Sequence, residues 1–366
     1  MKIIIVHKAK LNFSPPVLSV ILNLIDLGHK IVLIDEGIDE KWQVYLSNKG
    51  VTIHTIKSST TRNPLKKISQ YYNFRKKTKE LLKQYLPQKN DGLLWIEGSY
   101  TILALQGLIN KYNYILQIQE LGETVKYQLR AINKVIHDAK IVFMPEYNRT
   151  ILYQIWFKLK NRPIVLPNKP YFIPSEQDIK KLESKYEGEL ESFKQKKIIL
   201  YQGHIGKDRD LSAYVQAVKN LGDDYKFVLL GTDYGMVDHY KKIDPDIIHI
   251  DFIPAPDYLV FTKHAHIGIL SYIPECLNNA FCAPNKIYEY AAYRLPMLGN
   301  NIPGLLFPFM VNSIGEIIDE NDSTSIQNAI LKISKNRDEY AENAFHFFES
   351  SDNKKIIAKE LNSIIL

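Results

Sequence analysis

The sequence predicts an α/β protein of two doubly wound parallel sheets in tandem, on three observations. Its 366 residues exceed one ordinary core and fit two domains of roughly 150 residues each. Short β-branched runs alternate with longer segments of helical period in both halves. Near the middle, Pro167, Pro170 and Pro174 interrupt the alternation with a stretch that fits neither helix nor central strand.

In the first half the strands are predicted at 3–6, 31–34, 93–96, 114–118 and 141–144, each a near-continuous apolar run of the kind a sheet covered on both faces requires. Helices are predicted over 15–27, closed by Gly28, and over 39–48, 65–86, 100–110, 124–138 and 146–159. Beyond the proline stretch at 166–175 the strands are expected at 197–201, 227–230, 247–250, 267–270 and 296–298, with helices at 209–221, 257–262 and 285–293. Helical segments run from Ser323 onward, and 343–366 is long enough to fold back onto the first domain. The expected organisation is therefore a first domain over 1–168, a second over 176–342 and a returning helix over 343–366.

With 45% hydrophobic and 24% charged residues, the composition is that of a folded globular protein rather than a disordered one. Two cysteines, Cys276 and Cys282, supply neither a disulfide framework nor a zinc spacing, which points to a cytoplasmic compartment and no metal. The N-terminal run of apolar residues is too short for a signal peptide, and the longest charge-free apolar stretch, 295–313, is broken by prolines and a glycine, so any membrane contact is expected to be peripheral. The net charge is +7. Between Arg62 and Lys89 there are nine basic residues against one acid, Glu80, and the helix over 65–86 also carries Tyr71, Tyr72, Phe74 and Tyr85. Such a segment suits an anionic membrane surface or a lipid-diphosphate acceptor; it equally suits a plain solvated helix face. No nucleic-acid motif accompanies it.

Two loops of the second half have the make-up of a phosphate site. In doubly wound sheets ligands sit outside the carboxyl ends of the strands. The first loop, Tyr201 to Asp210, leads a strand through Gly203, His204, Gly206, Lys207 and Arg209 into a helix: glycines admit close backbone approach, and the cations meet an anion. It matches neither the dinucleotide fingerprint nor the P-loop. The second runs from Ala283 to Leu298. Pro284 suits a first helical turn and Asn285 a cap, while Lys286 puts a cation at the positive end of the helix dipole, an arrangement a bound anion would relieve. Glu289, three residues on, suits the two hydroxyls of a ribose; equally, Lys286 and Glu289 suit an ordinary ion pair at helical spacing.

The segment from Ala283-Pro284-Asn285-Lys286-Ile287-Tyr288-Glu289-Tyr290 to Pro296 resembles the donor-site signature of retaining glycosyltransferases of family 4, which have two Rossmann-like domains facing across a cleft, the GT-B fold. The resemblance extends to 201–211, 227–231 and 248–256, and more loosely to 28–32, 119–121 and 166–168. It implies a transferase moving a sugar with retention from a nucleotide-diphosphate sugar, a UDP-sugar, to a saccharide or lipid-linked saccharide acceptor in surface polysaccharide synthesis, with no metal and no cofactor beyond that co-substrate. By position it implies Glu289 for the ribose, and Lys286, the amides near Asn285 and Arg209 for the diphosphate. Gly203, His204, Lys207 and Pro284 complete the donor side. The sequence departs from the pattern at Phe281, where the family has a second glutamate; Glu275, Asn278 or Asn279 would take that role. His204 stands where an arginine is common, and Arg294 where a helix-ending glycine is usual. In the first domain Lys8, Lys10 and Asn12, after the first strand, would face the acceptor, and Glu120, in a place resembling a His-Glu pair, would contribute to catalysis. A sugar-nucleotide epimerase and a non-catalytic nucleotide-sugar-binding subunit of a polysaccharide assembly complex share these features; turnover without acceptor marks the first, weak nucleotide binding the second.

Overall fold

The computed structural model describes residues 1–59, 61 and 63–365. The chain divides into two compact units, residues 1–171 with 352–366 and residues 172–351.

The first unit holds a seven-stranded sheet of β1 (Lys2–His7), β2 (Lys30–Asp35), β3 (Thr52–Thr55), β4 (Leu93–Glu97), β5 (Tyr114–Gln117), β6 (Ile141–Met144) and β7 (Ile164–Val165). Its order is β3-β2-β1-β4-β5-β6-β7, with every pair parallel. The order reverses between β1 and β4, so the carboxyl ends of these two strands form its switch point. Ile3, Ile5, Leu33, Leu93, Trp95 and Ile115 share one face, and helix Pro15–Asp26 covers it with Val17, Val20, Ile21 and Leu24. Ile357 and Leu361 of the last helix, Asn353–Ile365, complete that core.

The second unit holds a six-stranded parallel sheet of β8 (Lys197–Gln202), β9 (Tyr225–Leu230), β10 (Ile248–Ile250), β11 (Ile267–Leu270), β12 (Met297–Asn300) and β13 (Gly315–Ile318). Its order is β10-β9-β8-β11-β12-β13, placing the switch point between β8 and β11. Side chains alternate between faces: Ile198 and Leu200 enter one core, Ile199 and Tyr201 the other. The helix Lys286–Ala292 ends in a Schellman arrangement, with Leu295 N–H on the Tyr290 carbonyl and Arg294 N–H on that of Ala291. Arg294 occupies the left-handed position at φ +56°, held by an ion pair to Glu342 and by the Phe345 ring.

Several elements differ from expectation. β3 and β7 are short and only partly buried, and Thr-Ile-His-Thr carries too little apolar signal to be read as a strand. Helix Glu176–Lys185 opens with a capping box whose second member is Asp178. Helix Pro303–Asn312 forms despite Pro308, with Pro303 in its first turn. The helix expected over 343–366 is two: Arg337–Ser350 belongs to the second unit, and only residues after the break at Ser351 and Asp352 return to the first. Ala344 and Phe347 explain the division, because they enter the second unit's core. Among the described residues no helix is long and apolar enough to cross a membrane.

Candidate functional site

At the switch point of the second sheet, β8 ends on Gln202, a buried polar side chain closing an apolar strand. Its amide Nε2 donates to Glu289 Oε2 at 2.8 Å, and its Oε1 accepts from Thr262 Oγ1 at 2.8 Å. Its backbone carbonyl accepts from Lys286 Nζ at 2.8 Å. Tyr258 donates its hydroxyl to Glu289 Oε1 at 2.7 Å. Lys286 and Glu289 therefore do not form the ion pair that helical spacing allows; among the described residues each bonds to Gln202 instead. Burial raises the Glu289 pKa, against the hydrogen bond from Tyr258 and the Lys286 charge. Burial, and then the Arg209 charge, lower that of Lys286 to about 7.

Aromatic faces line the cations. Lys286 Nζ lies 5.0 Å from the centre of the Tyr201 ring and 5.7 Å from that of Tyr272, and the Arg209 guanidinium lies 4.7 Å from the Tyr272 ring centre. Tyr272 is fixed by Asn300, buried at the end of β12, which accepts from its backbone N–H at 3.1 Å and donates to its carbonyl at 2.8 Å. Gly203 and Gly231 follow β8 and β9 at φ +135° and +143°. A Cβ on Gly203 would lie 3.2 Å from Lys286 Nζ, and one on Gly231 would lie 2.0 Å from the Gly203 carbonyl, so both turns require glycine. The arrangement brings two cations to one strand end beside an open backbone turn, which suits a polyanionic ligand.

Of the predicted donor-side residues, the structure gathers Gly203, Arg209, Lys286 and Glu289 at this switch point. His204 and Lys207 are exposed on the same loop; the His204 ring packs at a tilt against Tyr234, centres 4.2 Å apart, and meets Asp208 at 3.0 Å. Asp208 also stands 3.8 Å from Arg209 Nε, so the loop carries its own counter-charge. Asn285 does not cap the helix. Its backbone is already helical at φ −60° and ψ −34°, which directs the side chain away from the first-turn amides. Pro284 is buried beside it. Glu275 is exposed, whereas Asn279 donates to the Ile273 carbonyl at 3.0 Å and Asn278 is partly buried on the same short helix, Leu277–Ala280.

In the first unit the switch point is polar but closed. His7 and Glu97 end β1 and β4 side by side, and burial lowers His7 to about 4 and raises Glu97 well above the carboxylate range. Lys8 is not available to an acceptor as expected: its ammonium is 2.6 Å from Glu36 and packs on the Tyr71 ring. Asn12 accepts from the Asp39 N–H at 2.8 Å, a contact that fixes the loop rather than a ligand. Lys10 is exposed. Glu120 is exposed and lies 3.6 Å from Arg149.

The basic segment also differs from its expected form. Arg62 lies outside the described residues. In helix Pro64–Tyr85, Phe74 is buried, Tyr71 is turned onto Lys8, Tyr85 bonds His54 at 2.8 Å, and Arg75 donates to the carbonyls of Ala104 and Leu105.

Sequence reasoning did not find Gln202, Tyr258, Thr262, Tyr272, Asp208 or Asn300. Gln202 and Asn300 share a readable signal, a polar side chain closing an otherwise apolar strand; Tyr258 and Thr262 reach the site only through the fold.

No protein-family model and no curated protein sequence matches the chain. Solved structures do. HepE from Anabaena, in complex with UDP and glucose, is similar with a TM-score of 0.71 at 13% identity, covering 99% of this chain and 100% of that one. The chain has the GT-B fold. A glycosyltransferase from Rickettsia africae ESF-5 is similar at 0.70 and 16% identity over 99% of this chain and 97% of that one. Sucrose-phosphate synthase from Thermosynechococcus elongatus is similar at 0.71 and 16% over 100% and 98%. In these GT-B terms, the cluster around Gln202 lies in the second of the two parallel-sheet units.

Proposed function

We propose that the chain is a retaining, family 4-like glycosyltransferase. On this reading it takes a sugar from a UDP-sugar and passes it to a saccharide or lipid-linked saccharide acceptor in surface polysaccharide synthesis. The observation that carries the reading is the convergence of Lys286, Arg209 and the Gly203 turn at the switch point of the second sheet. The likeness to HepE, solved with UDP and glucose, supports the choice of donor.

As the bond from the sugar to the diphosphate breaks, negative charge grows on the departing phosphate. Lys286 and Arg209, held against ring faces, stabilise that charge from fixed positions, the contribution that is usually largest in such reactions. These cations are side chains, so the reading calls for no metal. Lys207 adds charge at the loop and His204 a ring N–H donor, Glu289 takes the ribose through its remaining lone pairs, and Asn278, Asn279 or Glu275 take the sugar hydroxyls. In the first unit, Lys10 and Glu120 are assigned to the acceptor and the reacting sugar. The lysine-rich segment after residue 63 is assigned to an anionic lipid surface.

Calorimetry of UDP and GDP on the wild type, Lys286→Ala and Glu289→Gln tests the donor half. Binding of UDP that weakens about tenfold or more in Lys286→Ala is expected, one charge-assisted contact being lost. No nucleotide binding by the wild type, or equal affinity in both variants, sinks the assignment. Release of nucleotide from a donor panel, with and without saccharide acceptors, tests the transfer.

A further inference from the structure

Helix Pro64–Tyr85 turns Phe74, Thr78 and Leu82 into the first unit, at steps of four residues. On the opposite face, Leu65, Ile68, Tyr72, Lys76, Lys79 and Lys83 follow one another at steps of three or four and form one continuous outward stripe. Leu65 is 76% exposed, Ile68 66% and Tyr72 69%. Single exposed apolar side chains are ordinary, but three in a row on one helical stripe mark a surface that meets something other than water. The charge that continues the stripe is of one sign; the one acid of the helix, Glu80, is exposed beside it, next to Lys76 and Lys83.

We propose that this stripe is a preformed docking edge for an anionic lipid bilayer. Leu65, Ile68 and Tyr72 enter the boundary between headgroups and acyl chains, and Lys76, Lys79 and Lys83 lie along the headgroup plane. The proposal deepens the lipid-surface part of the reading above and rests on it for the acceptor's chemistry. Charge complementarity selects the occupant. The stripe's cations are lysines, point charges on flexible stems that follow a fluid array of phosphates without fixed geometry.

The inner face is bound to the rest of the unit. The Tyr71 ring lies 4.2 Å from Lys8 Nζ, in the loop after β1, and Arg75 donates to the carbonyls closing helix Ser99–Leu105. Docking the outer face therefore holds the loop after β1 about one helix diameter, roughly 10 Å, from the headgroups. That distance suits an acceptor whose saccharide stands on a membrane lipid.

The test is co-sedimentation of the full chain with vesicles of phosphatidylcholine alone or mixed with phosphatidylglycerol. The variants are Leu65→Ser/Ile68→Ser/Tyr72→Ser and Lys76→Glu/Lys79→Glu/Lys83→Glu. All six positions lie on the exposed stripe, and circular dichroism with UDP calorimetry verifies that each variant keeps its fold. The wild type is expected to prefer phosphatidylglycerol, the charge variant to lose on the order of 100-fold in affinity, and the apolar variant about tenfold. Wild-type binding that both variants retain in full overturns the docking edge while leaving the lipid-surface reading in place. Absence of wild-type binding to any vesicle overturns both, and the donor reading is then judged by its own calorimetry. Binding to polyglutamate as tight as to vesicles, and indifferent to the apolar variant, overturns the bilayer in favour of an acidic protein.

Discussion

Lys286 holds its ammonium 2.8 Å from the Gln202 carbonyl, where burial and the Arg209 charge bring its pKa from 10.5 down to about 7. Below that value the folded protein already carries the proton; above it, a diphosphate that favours the charged lysine must bring one in. The affinity for a UDP-sugar is therefore expected to fall by up to about tenfold per pH unit above 7 and to level off below it. Calorimetry in buffers of different ionisation enthalpy measures the proton taken up, and Lys286→Met should remove both the slope and the uptake. Stability moves the other way. Between about pH 7 and 10.5 the unfolded chain holds this proton and the folded protein does not, so this group's contribution to stability rises with pH across that window. The partners of Glu289 yield a second prediction. Gln202→Leu strands the Thr262 hydroxyl and one Glu289 oxygen, and is expected to cost about 3 kcal/mol in denaturant unfolding. Tyr258→Phe removes one charge-assisted bond and is expected to cost about 2 kcal/mol. Unchanged midpoints in both variants would contradict the network.

The loop from Gly203 to Asp210 acts as an element because its charges neutralise one another before any ligand arrives. Asp208 lies 3.0 Å from His204 and 3.8 Å from Arg209. Removing that carboxylate in Asp208→Asn is expected to tighten UDP binding by about three- to tenfold at low salt and by less at high salt, since the charges are partly exposed. Weaker binding in Asp208→Asn would mean instead that Asp208 orients Arg209 for the ligand. At this scale the sequence was readable in proportion to burial. β1, β4, β8 and β11 are apolar runs covered on both faces, and the pattern alone places them. β3 and β7 are short and half-buried at the two edges of the sheet, and helix Pro303–Asn312 is hidden by prolines that local rules treat as breaks. Within the site, Lys286 and Glu289 stood out through the family resemblance of their segment, since their spacing alone suits an ordinary surface ion pair as well. Gln202 did not, since its importance depends on three partners distant in sequence that only the β8–β11 switch point assembles. Lys8 and Asn12 looked like loop residues open to a ligand, and their engagement with Glu36 and the Asp39 amide depends on β2 running beside β1.

For the molecule as a whole, the chain starts in one unit, builds the other, and returns for its last helix. Ile357 and Leu361 are buried in the core that helix Pro15–Asp26 covers, and their helix packs on that one, so the first core is complete only when the last residues are in place. The candidate donor residues all lie in the second unit. A substitution in the returning helix and a ligand at the switch point should therefore act on different sets of backbone amides. Leu361→Ala removes a side chain that is 1% exposed and is expected to cost about 3 kcal/mol, seen as faster hydrogen exchange of the β1, β2 and β4 amides. UDP at about 100 times its dissociation constant is expected to slow exchange in β8, β9 and β11 by the equivalent of about 2.7 kcal/mol, with the amides of β1 and β2 much less affected. Equal acceleration of both sheets by Leu361→Ala, or equal protection of both by UDP, would show one cooperative body and refute the division of labour. Protection confined to the first sheet would place the nucleotide in the wrong unit and remove Lys286 and Arg209 from the proposed mechanism.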